Sequence, residues 1–306
     1  MRREAGGGLT PVASCLTPII PEEVIHTRMR IMTEEDKYFF DLWGYLVVEN
    51  ALTPEEVTAC NNSIDHHKEQ IRQRSLDDPL ARGSKTLTGT GGRLELTGML
   101  GWERPWCEPF RRLLVHPNIV NYMYEMMGPG YRLDHGPLLI AMKEGSEGHQ
   151  LHGAGEPLNA CVNYFHQNGR MFCGGVTVAW QLTEVSPGDG GFCCVPGSHK
   201  SNYRAPRGVL TVENDRGAVR QVVMKAGDVL FFCEGTSHGT LPWRGAGERR
   251  SVLYKFAAGF MVRAGGPHTS PESRWGEFTK DMTEEERAVM LGPYVHGPQR
   301  HQIGAK

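Results

Sequence analysis

Apolar Tyr38, Phe39, Leu42 and Trp43 recur at helical spacing behind the acidic run Glu34-Glu35-Asp36, so a helix is predicted to start at Thr33 and stop at Gly44. The next residues, Tyr45-Leu46-Val47-Val48, make an unbroken apolar run of strand length. Thr53-Pro54-Glu55-Glu56 then supplies a Thr cap, a Pro at the first helical position and a Glu three residues after the cap. That opening predicts a second helix reaching to about Arg74. Residues 80–101 are rich in Gly and Thr and show no stable element, and so long a loop is usually mobile or functional. Pro109 to Met127 reads as a further helix, bent or broken near Pro117.

From about residue 131 the texture changes to short β-rich runs: Tyr131–Lys143, Phe172–Glu184, Gly191–Val195, Gln221–Met224, Asp228–Cys233 and Ser251–Phe256. Turn clusters separate them, notably Ser186-Pro187-Gly188-Asp189-Gly190-Gly191, Pro196-Gly197 and Lys225-Ala226-Gly227-Asp228. Strands at this spacing suggest a sandwich or jelly roll. A last helix is predicted over Thr283 to Met290. The expectation is a mainly β fold with packed helices, as a single domain over residues 21–306. Within it a helical part covers about 33–127, a jelly-roll part about 131–262, and a helical tail follows. Residues 1–20, rich in Gly, Pro and Ala, read as a flexible N-terminal arm.

Composition narrows the function classes. The 306 residues carry 33 Lys+Arg against 35 Asp+Glu, a formal charge of −2, where a nucleic-acid polymer binder would show a basic excess. No apolar run reaches the roughly 18 residues of a membrane span. The Arg2-Arg3 start has no apolar segment behind it, so no secretion signal is readable. The 8 Cys form no CxxC pair and read as reduced thiols in a cytoplasmic protein; at least one of the adjacent Cys193 and Cys194 is expected to face the core. Oligomeric state is not legible.

No phosphate loop, GxGxxG or HExxH motif occurs. The histidines are more informative. His152 follows the strand ending at Lys143; His238 follows the apolar strand Val229–Cys233; Arg249 opens the next strand, eleven residues further on. Two His on different strands of a small β-sandwich, with an Arg on the strand after the second, suggest a mononuclear iron site with an oxo-acid cofactor. Neutral imidazole suits Fe(II), and an inward Arg can hold the far end of a dicarboxylate.

Residues 33 to about 260 resemble the phytanoyl-CoA dioxygenase family of Fe(II)/2-oxoglutarate enzymes. The resemblance is carried by Gly44–Val48 with Leu52–Glu56, by Gly190-Gly191-Phe192-Cys193-Cys194-Val195-Pro196-Gly197-Ser198-His199-Lys200, by Ala226–Phe232, by His238 and by Arg249. It implies a double-stranded β-helix (jelly roll, cupin-like) with helices outside, and the cofactors Fe(II), 2-oxoglutarate and O2. It implies His152 and His238 as metal ligands and Arg249 as the 2-oxoglutarate clamp. Arg250 is the alternative clamp if the register slips by one. Thr240 and Thr177 match places where the family often puts a small polar cofactor contact.

The chain departs from the family at one point. The family's first motif is His-x-Asp or His-x-Glu; here it is His152-Gly153-Ala154, and Ala154 cannot coordinate metal. Two neutral His leave the Fe(II) charge uncompensated, which invites an external anion of halide size. This resembles the iron/2-oxoglutarate halogenases, whose His-x-Ala or His-x-Gly motif leaves room for chloride. The implied activity is radical chlorination of an unactivated C–H in a small molecule, with a nucleotide such as 2′-deoxyadenosine monophosphate among the candidates and an alkaloid-like or amino-acid-like molecule competing. Two other readings stand beside it: a hydroxylase using Glu156 as third ligand, with Glu147 and Asp134 as other nearby carboxylates, and a noncatalytic binding protein.

Further residues carry weaker expectations. Tyr164, Phe165, His166 and Arg170 are pocket or strand residues with equal weight. Trp102 and Trp106 suit packing better than a lid. His199 and His116 read as structural, and His149 as a partner of His152 or a solvated loop residue. Arg82, Arg93, Arg111, Arg112 and Arg170 surround the expected pocket elements as possible anion contacts.

Overall fold

Thr33 caps the first helix as its sequence predicts. Its hydroxyl accepts the Asp36 N–H, and the Asp36 carboxylate accepts the Thr33 N–H. The computed structural model describes residues 29–293 apart from 154–158, 160, 264–265 and 267. The expected arm over 1–20, and the expectations on Ala154 and Glu156, therefore lie outside the described residues.

Helix α1 (Glu34–Trp43) ends at Gly44, and β1 (Tyr45–Val48) follows. Helix α2 (Pro54–His66) has the same reciprocal cap from Thr53 and Glu56, but stops well short of Arg74. His67 leaves the helical conformation and stacks its ring on Trp102, centroids 3.7 Å apart. A 3₁₀ turn (Lys68–Gln70) then leads into β2 (Arg72–Gln73). The Gly/Thr-rich stretch holds β3 (Leu94–Leu96) and a 3₁₀ turn (Met99–Gly101). It is tied down from a distance: the Glu147 carboxylate accepts the N–H groups of Leu80 and Ala81, and the Gln150 N–H donates to the Leu80 carbonyl. The helix over Pro109–Met127 is broken at Pro117 as predicted, into α3 (Glu108–Leu113) and α4 (Val120–Met127).

The β-rich part comprises β4 (Arg132–Met142), β5 (His149–His152), β6 (Tyr164–Gln167), β7 (Arg170–Cys173), β8 (Gly175–Gln181), β9 (Gly191–Cys194), β10 (Arg220–Gln221), β11 (Val229–Cys233), β12 (His238–Leu241) and β13 (Arg249–Ala257). A four-residue helix α5 (Arg207–Leu210) lies between β9 and β10, and α6 (Pro271–Trp275) and α7 (Glu284–Ala288) follow β13.

These strands build a jelly roll. One sheet has the order β1-β11-β8-β13-β4-β3-β2 and faces a four-stranded sheet β10-β9-β12-β5, with β6-β7 as a separate hairpin. All the named strand pairs are antiparallel. Strand alternation sorts the side chains of the large sheet. Trp180, Phe231, Val252, Tyr254 and Phe256 join the helices' Phe40, Ile64, Phe110 and Met123 in the outer core. Ala179, Leu230 and Phe232 point the other way and pack with Phe192 of the small sheet. That inner layer is where the histidines emerge. No helix among the described residues is long and apolar enough to cross a membrane. The described cysteines are all free, and Cys193 and Cys194 are both buried, which pushes the Cys194 thiol up to about 12.

Candidate metal centre

His152 ends β5 and His238 opens β12, and the two are paired across the small sheet. Their rings lie 4.4 Å apart, and the His149 ring is 4.4 Å from that of His152. Each imidazole is oriented in the same way. His238 Nδ1 is 2.7 Å from the Thr236 carbonyl and His152 Nδ1 is 3.1 Å from the Gln150 carbonyl, each two residues upstream. A carbonyl oxygen only accepts, so each Nδ1 carries the proton and each Nε2 keeps a free lone pair. Backbone acceptors of this kind fix the tautomer of metal-binding His. Burial, followed by His152, pulls the His238 imidazole down to about 3, and burial likewise lowers His152. Both are therefore neutral at physiological pH. Gly153 is required beside them: its φ is +95°, and a Cβ there would lie 2.5 Å from the Thr236 carbonyl oxygen.

The two His open onto an inner cavity of about 130 Å³, lined also by Phe192, Phe232, Thr240, Arg249, Ser251 and Lys255. Arg249 is 4% exposed, yet no carboxylate pairs with it among the described residues; its Nε has no hydrogen-bond partner and Nη1 meets only Met142 Sδ at 3.9 Å. Burial, then the charge of Arg93, pulls its guanidinium down to about 10. Two residues along the strand, the buried Ser251 hydroxyl also lacks a partner. Sequence reasoning missed Ser251, although alternation along β13 puts positions 249 and 251 on one face. A buried cation with no carboxylate partner among the described residues, beside a free hydroxyl, fits a bound carboxylate.

Arg250 points to the opposite face, where it pairs with Asp65 at 2.6 Å and Glu248 at 2.6 Å, so it is not the residue facing the cavity. Thr240 lines the cavity; Thr177 does not, because its hydroxyl donates to the Glu234 carboxylate. Glu234 is itself buried and holds Lys255 at 3.2 Å and Arg263 at 2.8 Å.

The nearby carboxylates are engaged elsewhere. Asp134 pairs with Arg132 at 3.1 Å and His135 at 2.9 Å. Glu147 holds the loop at Leu80 and Ala81. Among the described residues no carboxylate or thiol is placed to share an ion with both His152 and His238; the one such three-donor cluster lies elsewhere, at His66, His67 and Glu103.

The remaining candidates scatter. Tyr164, Phe165, His166 and Arg170 line a different, open groove of about 1080 Å³ on the β6-β7 hairpin. Trp102 and Trp106 stack on His67 and His66. His199 Nε2 lies 3.0 Å from the Asp41 carbonyl, and His116 Nε2 lies 3.2 Å from Glu56. Of the five arginines, Arg93 lines the cavity, 2.7 Å from Glu95, and Arg111 is held by Asp281 at 3.1 Å; Arg82, Arg112 and Arg170 do not reach the cavity.

Residues 40–251 match the phytanoyl-CoA dioxygenase (PhyH) family. No curated protein matches the chain. Among solved structures, HygX from Streptomyces hygroscopicus with nickel and 2-oxoglutarate bound is similar at TM-score 0.60 and 21% identity, covering 75% of this chain and 88% of that one. The non-heme alpha ketoglutarate dependent carbocyclase SnoK from nogalamycin biosynthesis gives TM-score 0.55 and 17% identity, covering 76% and 87%. AviO1 from Streptomyces viridochromogenes Tue57 gives TM-score 0.55 and 15% identity, covering 74% and 96%. At these identities the likeness is one of fold.

Proposed function

The chain belongs to the phytanoyl-CoA dioxygenase family, and from that premise we propose that this enzyme of the Fe(II)/2-oxoglutarate-dependent oxygenase superfamily is a halogenase that chlorinates an unactivated C–H of a small molecule. The observation that carries the proposal is the incomplete ligand set. Ala154 stands where the family has a carboxylate; of the described carboxylates nearby in sequence, Asp134 and Glu147 are held by other partners and Glu144 is exposed in a turn.

Iron bound with 2-oxoglutarate, O2 and chloride would supply the oxidation that activates the C–H bond. The protein's part follows from its own residues. His152 and His238 would hold the metal through Nε2, their Nδ1–H groups fixed by backbone carbonyls. Arg249 would take the distal carboxylate of 2-oxoglutarate, with Ser251 and Thr240 beside it. Phe192, Leu230 and Phe232 form an apolar wall that limits water. Two neutral ligands leave the metal's positive charge available to a halide.

Thermal melting of the chain loaded with Mn(II) and 2-oxoglutarate tests this without a substrate. Chloride is expected to raise the midpoint at constant ionic strength, only when both metal and 2-oxoglutarate are present. Ala154→Asp should abolish that response and Glu156→Ala should preserve it. A chloride response that survives Ala154→Asp would contradict the proposal. Loss of metal binding in Glu156→Ala would establish the hydroxylase reading, and a chain that binds no metal would be the noncatalytic protein.

A further inference from the structure

A second cavity, of about 490 Å³, adjoins the metal centre and shares Leu138, Leu253 and Lys255 with it. That volume lies within the range of small-molecule sites. Its outer walls are Leu100, Pro137 and Phe278, with Arg274 and Trp275 of α6. The polar groups at its two ends differ. At the inner end the Lys255 ammonium is already matched by Glu234 at 3.2 Å. At the outer end the Arg274 guanidinium lies over the Trp275 ring, 4.9 Å from its centroid, and donates to the Asp134 backbone carbonyl at 2.9 Å. No carboxylate pairs with it among the described residues, and Arg274 Nε and Trp275 Nε1 are buried donors without an acceptor. Donors left in that state carry a desolvation cost that an acceptor on a ligand would offset.

We infer that this cavity is the substrate compartment and that it takes a ring-bearing, largely apolar carboxylic acid. The acid group sits against Arg274 and Trp275, the rings lie along Leu100, Phe278 and Leu253, and the reacting carbon passes between Leu138 and Lys255 towards His152 and His238. The inference rests on reading that His pair as the reaction centre. A mononucleotide suits the compartment less well. Its phosphate would have the single uncompensated Arg274, and apart from Thr97 and His135 the largely apolar walls offer few partners to sugar hydroxyls and base nitrogens.

The probe is 8-anilinonaphthalene-1-sulfonate, an aromatic body with one anionic group, titrated by fluorescence into the metal-free full chain. One saturable site is expected. Arg274→Gln should weaken it about tenfold or more, the scale of a lost charged hydrogen bond, and Arg274→Lys should recover part of the loss. Leu138→Trp, which fills the neck, should remove it, with circular dichroism showing that each variant is folded. Millimolar 2′-deoxyadenosine monophosphate should not displace the dye. Dye binding unchanged by both Arg274→Gln and Leu138→Trp would overturn the inference, as would absence of a saturable site. Displacement by the nucleotide would overturn the substrate class. The assay contains no iron, 2-oxoglutarate or halide, so its failure would leave the halogenase reading standing, and the reverse also holds.

Discussion

Arg249 is the residue whose burial demands a ligand. A guanidinium 4% exposed, with no carboxylate partner among the described residues, destabilises the ligand-free fold, because the lost hydration is not recovered. Arg249→Met should therefore leave the thermal midpoint of the ligand-free chain unchanged or higher. In titration calorimetry with Mn(II) it should weaken 2-oxoglutarate by roughly 2–4 kcal/mol, about 30- to 1000-fold. Glu234 shows the opposite balance. Burial pushes its carboxyl up, but Lys255, Arg263 and the Thr177 hydroxyl, joined by His238 only where that imidazole is protonated in acid, outweigh burial and hold it well below the usual carboxylate range. Its folded-state value is depressed, so its contribution is fully present above the unfolded carboxylate value of about 4.3 and is lost as pH falls from there through the folded value. Urea unfolding should show Glu234→Gln weaker by roughly 3 kcal/mol at pH 7, with a gap to the parent that narrows below about pH 4.

At the scale of elements, the end of α1 bears on the candidate metal centre. Gly44 has φ +76°, and a Cβ there would lie 2.4 Å from both His199 Nδ1 and Thr236 Oγ1. Thr236 also presents the carbonyl that orients His238. Gly44→Ala should cost about 2–4 kcal/mol in urea unfolding, from the left-handed backbone plus overpacking, and should weaken Co(II) binding as Thr236 shifts. Elements with local signals were legible. The capping boxes at Thr33 and Thr53, the Gly44 stop and the break at Pro117 all follow from nearest neighbours in sequence. Elements fixed by distant partners were not. α2 ends early because His67 turns onto Trp102, and β3 exists because β4 pairs with it. The site divides in the same way. His152, His238 and Arg249, with Arg250 as its alternative, could be named from strand order together with the family resemblance, whereas the free Ser251 hydroxyl and the engagement of Thr177 by Glu234 depend on which strand lies opposite.

The whole molecule brings three unlike environments together along one strand. The large sheet buries its outer face on the helices and leaves Arg249, Ser251, Leu253 and Lys255 to its inner face, in order along a single strand. The paired His of the small sheet line the same cavity as that row, and the apolar compartment shares Leu253 and Lys255 with it. The proposed anion clamp, metal centre and substrate chamber are thus all set out by strand alternation across one jelly roll. What separates halogenation from hydroxylation in this frame is one coordination position, at Ala154. The visible charge-transfer band of the anaerobic Fe(II)–2-oxoglutarate complex reports on that position directly. A halide in the metal's first shell predicts a band that shifts when chloride is added to the parent and stays fixed when it is added to Ala154→Asp. A parent band indifferent to chloride and abolished in Glu156→Ala would contradict it and make the protein a hydroxylase.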